Sequence, residues 1–355
     1  MTTEQRPPRQ ALGAAPPGDT TSVVGPSRKR RGLGSPAEPS STTATTVAGS
    51  GEVTDLRPRR ARRLAVAAAV AVVLVAVGVC AVFVVRWWMS LDTGQQFLRD
   101  YPGSYDLPEG SASGFPLWVQ WQHFLNGFLM VLIIRSGLRV RRERRPDAYW
   151  TPRWARRESS KISLTLWFHQ SLDVLWLVNG VIFVVALWGS GHWVRIVPTQ
   201  WEVFPNAISA FLQYVSLSWP TESGWSNYNS LQQLAYFTTV FIAAPVAGAT
   251  GWRMSGLWPN RATRLSRVFP VEWARALHFP VMLYFVAFIA FHVALVFATG
   301  ALRNLNHMFG NSDEINWTGF AIFAAATAVT IAAWFAARPV VLASVARLTG
   351  KVTAR

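Results

Sequence analysis

Apolar residues in this chain are concentrated in runs long enough to cross a lipid bilayer. A helical span of the hydrocarbon core needs about 20 predominantly apolar residues. Runs of this kind occupy 64–88, 116–137, 163–188, 231–252, 274–299 and 318–337. The pattern therefore predicts an all-α integral membrane protein with six spans, placed in the cell membrane as a multi-pass protein.

The segments outside these runs differ in composition. Residues 1–63 are rich in Pro, Gly, Ser, Thr and Arg, and such a segment cannot bury enough apolar surface to offset its ordering entropy. We expect a disordered basic tail, followed by an uncleaved helix at 64–88 rather than a signal peptide. Segment 203–219 is short and interrupted by polar residues, so we expect a helix at the membrane interface. Residues 338–355 are predicted to be a basic cytoplasmic tail.

Loops with an excess of basic residues alternate along the chain with loops that have no such excess. Lys and Arg outnumber Asp and Glu by nine to three in loop 139–161, by five to one in 253–275, and by four to none in 338–355. The intervening loops together hold four basic and eight acidic residues, in 86–116, 189–230 and 300–316. Because basic loops stay on the cytoplasmic side of a membrane, both termini are expected to be cytoplasmic.

Composition excludes several functional classes. The net charge is +16 and 51% of the residues are hydrophobic, but the basic clusters flank apolar runs, which indicates a membrane protein and no nucleic-acid partner. The single cysteine, Cys80, excludes an intramolecular disulfide, a cluster held by several cysteines and covalent haem attachment. The sequence has no GxGxxG motif for a flavin or nicotinamide cofactor.

Four of the six histidines lie inside predicted spans. His278 and His292 share one span, and their spacing of 14 residues is about four helical turns, so both rings leave the same face about 21 Å apart. The loop charges fix the direction of every span. His123 then matches His292 in depth near the outer end, and His169 matches His278 near the inner end.

Facing imidazoles at one depth are suited to the iron of a six-coordinate, low-spin haem, which transfers electrons. We therefore predict two non-covalent haem b groups. The outer haem iron would be ligated by His123 and His292, and the inner one by His169 and His278. The remaining two histidines, His192 and His307, lie in outer loops and receive no role.

Several other residues are candidates for supporting roles. Gly127 and Gly180 share helix faces with histidines and are predicted to contact haem, although small residues also serve ordinary helix packing. Asp173 is the one carboxylate inside a span. It could accept a hydrogen bond from a ligand imidazole, take up a proton during quinone chemistry, or pair with Gln170 or Asn179. Three basic residues on the inner side could hold haem propionates or simply anchor the helices: Lys161, Arg253 and Arg275.

The segments around the four histidines resemble the prokaryotic di-haem cytochrome b family, the b561-like cytochromes. This family includes the membrane subunits of formate dehydrogenases, nickel–iron hydrogenases and thiosulfate reductases. The resemblance rests on WVQWQHFLNGF, LTLWFHQSLDV and ALHFPVMLYFVAFIAFH, with NSLQQLAYFTTVFIAAPVAGATG as the helix without ligands. It implies a four-helix di-haem core over 115–300, with the same histidine pairing. This chain departs from the family by one extra transmembrane helix on each side of that core.

The resemblance also implies a function. The chain is expected to carry electrons between the menaquinone pool and a separate, extracytoplasmic molybdopterin-dependent oxidoreductase, and not to be catalytic alone. Loop 189–230, with Trp201, Trp219 and Trp225, is our candidate docking surface for that partner. Two alternatives stay open: a quinone-independent transmembrane reductase of ferric iron or superoxide, and a haem-free transporter or scaffold.

Overall fold

The computed structural model describes residues 57–153, 161–219, 224–259 and 263–354. Within these ranges, six helical stretches are long and apolar enough to cross a membrane. They are Ala61–Ser90, Leu117–Arg142, Leu164–Gly189, Ser230–Met254, Val271–Ala298 and Thr318–Ala336. The predicted all-α membrane class and the number of spans are confirmed. The predicted disordered tail over 1–63 falls almost entirely outside the described residues.

The first span belongs to α1, Arg57–Ser90, which extends beyond the predicted run 64–88 at both ends. Its apolar side chains are largely exposed on every face, and a helix that is apolar all round is typical of a span surrounded by lipid. A short helix, α2 (Asp92–Asp100), follows at once.

Four spans form the bundle that carries the histidines. They are α3 (Leu117–Arg142), α4 (Leu164–Gly189), α9 (Val271–Ala298), and a composite span made of α6 (Ser230–Phe237), a π-helical turn (Thr238–Ala243) and α7 (Ala244–Met254). α3 packs along α4, and α7 packs along α9. The bundle therefore consists of two helix pairs, and each pair contributes to both ends of the site described below.

Two buried apolar clusters hold the bundle together. Leu129, Leu132 and Leu172 pack between α3 and α4. Met130 of α3 packs with Ala243 of the composite span and Phe285 of α9. α3 therefore joins its own pair, α3 and α4, to the other pair.

The composite span widens into a π-helical turn at Thr238–Ala243, just before Pro245. Proline has no N–H, and its ring clashes with the carbonyl group four residues earlier, which here is that of Phe241. One wider turn accommodates this clash without breaking the helix. Thr239 in the turn forms a 2.8 Å hydrogen bond with the hydroxyl of Tyr284, which ties the composite span to α9.

The described parts of loops 86–116, 189–230 and 300–316 gather at one end of the bundle, where Arg195 contacts Gly114 and Phe115 packs against His307. We call this end the outer end after the charge-based prediction, and the opposite end the inner end. α5 (Val203–Val215) lies against α6. Its buried side carries Asn206 and Ala210, while Phe204 and Ile208 are exposed. The helix predicted over 203–219 is therefore present but shorter, and its polar interruption at Asn206 faces protein.

A buried arginine joins the outer loops. Arg195 ends a 3₁₀ turn (His192–Arg195) and is 2% exposed. Its guanidinium donates to the carbonyl oxygens of Gly114 at 2.7 Å and Gly224 at 2.6 Å, and it lies 4.5 Å from the ring centre of Tyr228. These contacts connect three separate segments of the outer end.

The inner end carries a small antiparallel sheet that the sequence did not predict. β1 (Ala148–Pro152) is its central strand, between β2 (Ile162–Ser163) and β3 (Gly350–Ala354). Trp150 of β1 is buried and donates from Nε1 to the carbonyl oxygen of Ala346 at 3.1 Å. The described residues of the predicted basic tail, as far as Ala354, are thus folded against β1.

The remaining helices of the described residues lie in the second half of the chain. They are α8 (Thr263–Val268), α10 (Ala301–Leu305) with a π-helical turn (Asn306–Gly310), α11 (Thr318–Ala336) and α12 (Pro339–Ala346). α11 is the last span and contacts α3 and the Asn306–Gly310 turn.

Candidate functional site

The four intramembrane histidines lie in two pairs on facing helices. His123 of α3 faces His292 of α9 at the outer end, with ring centroids 6.1 Å apart. His169 of α4 faces His278 of α9 at the inner end, with centroids 6.4 Å apart. These are the pairs that the depths of the histidines predicted from the loop charges.

The spacing within each pair suits a metal ion between the rings. Two imidazoles that bind one ion from opposite sides, with metal–nitrogen distances of about 2.0–2.1 Å, have ring centroids about 6 Å apart. Each pair supplies only two nitrogens, so the ion would take its other ligands from elsewhere, and a porphyrin supplies four. The residues present therefore fit the axial positions of two haems. That they ligate iron stays a prediction.

The inner pair is held by two hydroxyl groups that the sequence analysis missed. Ser136 Oγ lies 2.9 Å from His169 Nδ1, and Thr250 Oγ1 lies 2.9 Å from His278 Nδ1. In each ring it is Nδ1 that meets the hydroxyl, and Nε2 is left as the nitrogen available to a metal.

A glycine follows each hydroxyl residue, and the one at Gly137 makes room for the ring. A Cβ atom at Gly137 would lie 3.1 Å from His169 Cε1, and one at Gly251 would lie 3.6 Å from His278 Cε1. The sequence does carry a signal, because Ser-Gly in RSGLRV and Thr-Gly in ATGWRM occupy equivalent places near the inner ends of α3 and α7.

The outer pair has different surroundings. The ring of His292 stacks on Phe288 with centroids 5.8 Å apart, and Phe309 stands edge-on to His123 at 5.7 Å. His123 Nδ1 is buried and has no hydrogen-bond partner within the described chain. An aromatic setting therefore replaces the hydroxyl groups of the inner pair.

A cavity of about 590 Å³ adjoins the outer pair. Its walls are mostly apolar, with a few polar groups, and include His123, His292, Tyr228, Tyr236, Trp219 and His307. Pockets that bury a cofactor or ligand usually have this size and lining. The cavity and the orphaned nitrogen of His123 are both consistent with a porphyrin-sized group at the outer pair.

The two predicted glycine contacts lie in open surroundings. A Cβ atom added at Gly127 or at Gly180 would meet no atom within 4 Å. Neither glycine is therefore needed for the helix packing described here, and their contact with haem remains a prediction.

Asp173 does not occupy the position that the sequence suggested for it. Its Oδ2 lies 3.6 Å from His169 Nε2, whereas the acceptor beside Nδ1 is Ser136. No hydrogen bond joins Asp173 to Gln170 or Asn179 in the described residues. Ser136, and not Asp173, is therefore the hydrogen-bond partner of the His169 ring in the described residues.

Two of the three proposed propionate partners are already engaged. Arg253 donates from Nε to the carbonyl oxygen of Phe269 at 2.7 Å and lies over Trp258. Lys161 lies 4.4 Å from the ring centre of Tyr149. These contacts favour the anchoring interpretation for Arg253 and Lys161.

His307, in an outer loop, is part of the cavity wall although the sequence assigned it no role. It is 4% exposed, its ring packs against Phe115 and Trp225, and its Nε2 lies 2.6 Å from Asp313 Oδ1. Burial lowers the pKa of His307, and the hydrogen bond from His307 lowers the pKa of Asp313. A neutral imidazole donating to an ionised carboxylate satisfies both shifts.

His192, the other outer-loop histidine, lies away from both pairs. It is buried edge-on to Trp118, with centroids 5.8 Å apart, and its Nδ1 lies 3.1 Å from Ser190 Oγ. Burial lowers its pKa. The contacts are those of a structural residue at the end of α4.

Comparison with known proteins identifies the family. Residues 114–311 match prokaryotic cytochrome b561. The chain belongs to the prokaryotic cytochrome b561 family. It is therefore a membrane protein that binds haem b and transfers electrons, and the predicted resemblance is confirmed.

One curated relative is similar to about half of this b561 chain. A protein of Azospira oryzae named as protein-methionine-sulfoxide reductase subunit YedZ1 is 28% identical over 194 residues, which cover 51% of the chain and 88% of the relative. No solved structure matches.

Proposed function

We propose that the chain is a two-haem relay between the menaquinone pool and a separate oxidoreductase on the outer side of the membrane. The observation that carries this proposal is the pair of imidazole pairs, one at each end of the bundle, each with the spacing that a shared metal ion needs. Because His278 and His292 stand on one helix, the two positions are about 21 Å apart along its axis.

The four histidines would hold the cofactors: His123 and His292 the outer haem, His169 and His278 the inner one. Haem b supplies one-electron redox chemistry when it is bound. The chain's own part is to orient the imidazoles, to fix the distance between the two positions and to keep water out. Gly127 and Gly180, with open space beside them, would leave room for the porphyrin faces.

Apolar side chains pack around Phe285, midway between the two positions. Phe285 stands seven residues from each histidine of α9 and is 5% exposed. Trp176 meets it edge-on with ring centroids 5.9 Å apart, and Met130 packs against it. This apolar packing supports transfer of electrons without accompanying ions, because an unpaired charge among these three side chains would be costly to bury.

The name of the curated relative supports a partner subunit, and the exposed outer surface supports a place for it to dock. The name of the Azospira oryzae relative, a reductase subunit, supports a separate catalytic subunit; the molybdopterin cofactor of that subunit follows from the resemblance. On the outer loops, Trp201 is 85% exposed, and Phe204 and Ile208 on the same side of α5 are about half exposed. We place the docking surface there, whereas Trp219 and Trp225 are partly buried and contribute less.

Reduction by a quinol tests this function in the full-length protein. Anaerobic mixing of the purified, haem-loaded chain with a short-chain menaquinol analogue should give a reduced b-type absorption band. A chain that accepts no electrons from quinol and is instead reoxidised rapidly by ferric chelates or superoxide would contradict the relay and favour the transmembrane reductase. Membership of the cytochrome b561 family already argues against a haem-free transporter or scaffold.

A further inference from the structure

The two inner histidines share an arrangement that the outer two lack. His169 meets a hydroxyl from α3, and His278 meets a hydroxyl from α7, both through Nδ1 at 2.9 Å. Each hydroxyl thus comes from the helix packed beside the one that carries the histidine. The same contact built twice from different helices indicates a common purpose.

The direction of these hydrogen bonds follows from the second contact of each hydroxyl. Ser136 Oγ donates its proton to the carbonyl oxygen of Ile133 at 3.0 Å, and Thr250 Oγ1 donates to that of Val246 at 2.7 Å. A hydroxyl has one proton to give, so each oxygen accepts from the imidazole. The Nδ1 atoms of His169 and His278 therefore carry the protons, and the lone pairs are on Nε2.

The outer pair has no such acceptor. His123 Nδ1 is buried without a hydrogen-bond partner, and His292 makes no hydrogen bond within the described ranges. An N–H that donates to an oxygen makes the opposite ring nitrogen a stronger electron donor, which raises the basicity of a metal ligand. The chain thus offers stronger axial donors at its inner end than at its outer end.

The arginines near the inner end do not contact the inner imidazoles, so they do not cancel the stronger donor character that the hydroxyl groups give those rings. Arg135, next to Ser136, donates to the carbonyl oxygen of Ala337 and lies over Trp334. Arg141 lies over the ring of Phe279. Neither guanidinium contacts the imidazoles of the inner pair.

We propose that Ser136 and Thr250 are positioning residues that hold the inner haem at the lower of the two reduction potentials. Stronger axial donors stabilise ferric over ferrous iron, and hydrogen bonds around a haem are among the protein's means of setting its potential. Electrons would then run downhill from the inner haem to the outer one, and onward to an acceptor outside. This inference rests on the proposed function, since it requires two haems.

An optical redox titration of the full chain in lipid nanodiscs tests the proposal. Ser136→Ala and Thr250→Val remove one hydroxyl each; each should shift the lower-potential wave upward and leave the upper wave in place. Ser136→Thr and Thr250→Ser keep the hydroxyl and should restore the lower wave to its original potential. Thr239→Val is the matched control, because its hydroxyl pairs with Tyr284 and not with a histidine; it should shift neither wave.

Each result bears on one of the two ideas. An unchanged lower wave, or a shift confined to the upper wave, would overturn the role of the hydroxyls and leave the relay intact. A wild-type chain with fewer than two haems would instead contradict the proposed function. If Ser136→Ala loses the inner haem, retention of that haem at its original potential in Ser136→Thr supports the hydroxyl, and loss in both variants overturns it.

Discussion

The imidazole rings of the inner pair depend on side chains that are small or hydroxylated, not only on the histidines themselves. Gly137 illustrates this dependence, since a Cβ atom there would press on His169 Cε1 at 3.1 Å. A neighbour this close must move by a few tenths of an ångström, and the ring is also fixed by its hydrogen bond to Ser136.

Gly137→Ala should therefore tilt the ring of His169 and lower the inner haem content or raise its lability, with the outer haem unaffected. The measurement is the haem-to-protein ratio of the purified variant by pyridine haemochrome. Gly78→Ala in α1 is the matched control, because a Cβ atom at Gly78 meets nothing within 4 Å. Full, stable loading of Gly137→Ala with an unaltered spectrum would contradict the steric role.

His307 gives a pH-dependent prediction. Burial keeps its folded-state pKa below the ordinary value, so below about pH 6.5 the unfolded chain takes up the proton first and the folded state loses relative stability. Asp313, Arg303 and Arg195 are the charged groups that act on it. As the pH falls, this loss of stability begins near the pKa of His307 in the unfolded chain and is complete below its pKa in the folded chain.

The wild-type chain should therefore lose thermal stability more steeply than His307→Gln between about pH 7.5 and 5.5. The check is a series of thermal unfolding curves of both proteins in the same nanodiscs. Parallel declines of the two melting temperatures would show that His307 does not carry this pH dependence.

Sequence reasoning predicted which histidines face each other, because their positions depend on helical periodicity and loop charge, which are local signals. It missed Ser136, Thr250 and Arg195, because a hydroxyl or a guanidinium acquires its role only from what packs against it. Asp173 was considered for the orienting role because carboxylates commonly orient ligand histidines; the structure gives that place to Ser136, on a different helix.

The helices were predictable from local signals, whereas the strands were not. The six spans follow from runs of apolar residues, whereas β1 and β3 pair residues about 200 positions apart, for which no local pattern exists. The sheet also depends on one buried side chain, Trp150, which packs with Trp167 and Leu342.

Trp150→Ala should destabilise the inner end by about 3–5 kcal/mol, as expected for loss of a large buried aromatic side chain. Trp150→Phe keeps much of the packing but loses the Nε1 hydrogen bond to Ala346, for which about 1 kcal/mol is expected. Unfolding of the three proteins under one set of conditions gives the comparison. Equal stability of the wild type and Trp150→Ala would contradict the account of the sheet.

The exposed surface at the start of α5 is the proposed docking site for the partner. Trp201→Ser removes the most exposed of the candidate docking residues and should weaken association with the catalytic subunit while both haems are retained. Trp273→Ser is the matched control, since Trp273 is 62% exposed but near the inner end of α9. Co-purification of the partner with the two variants is the measurement, and equal yields would count against this surface.

At the scale of the whole molecule, two similar imidazole pairs lie at opposite ends of one helix bundle and have different surroundings. Hydroxyl groups hold the inner pair, and aromatic rings with a cavity of about 590 Å³ adjoin the outer pair. This asymmetry is what a one-way path for electrons across a membrane needs.

The haem stoichiometry of ligand variants tests this arrangement. The wild-type chain should bind two haem b per chain. His292→Ala and His278→Ala should each retain one, with different spectral components lost, and His192→Gln should retain both. Retention of two haems in both ligand variants, or loss of the same component in each, would contradict the ligand assignment on which the relay depends.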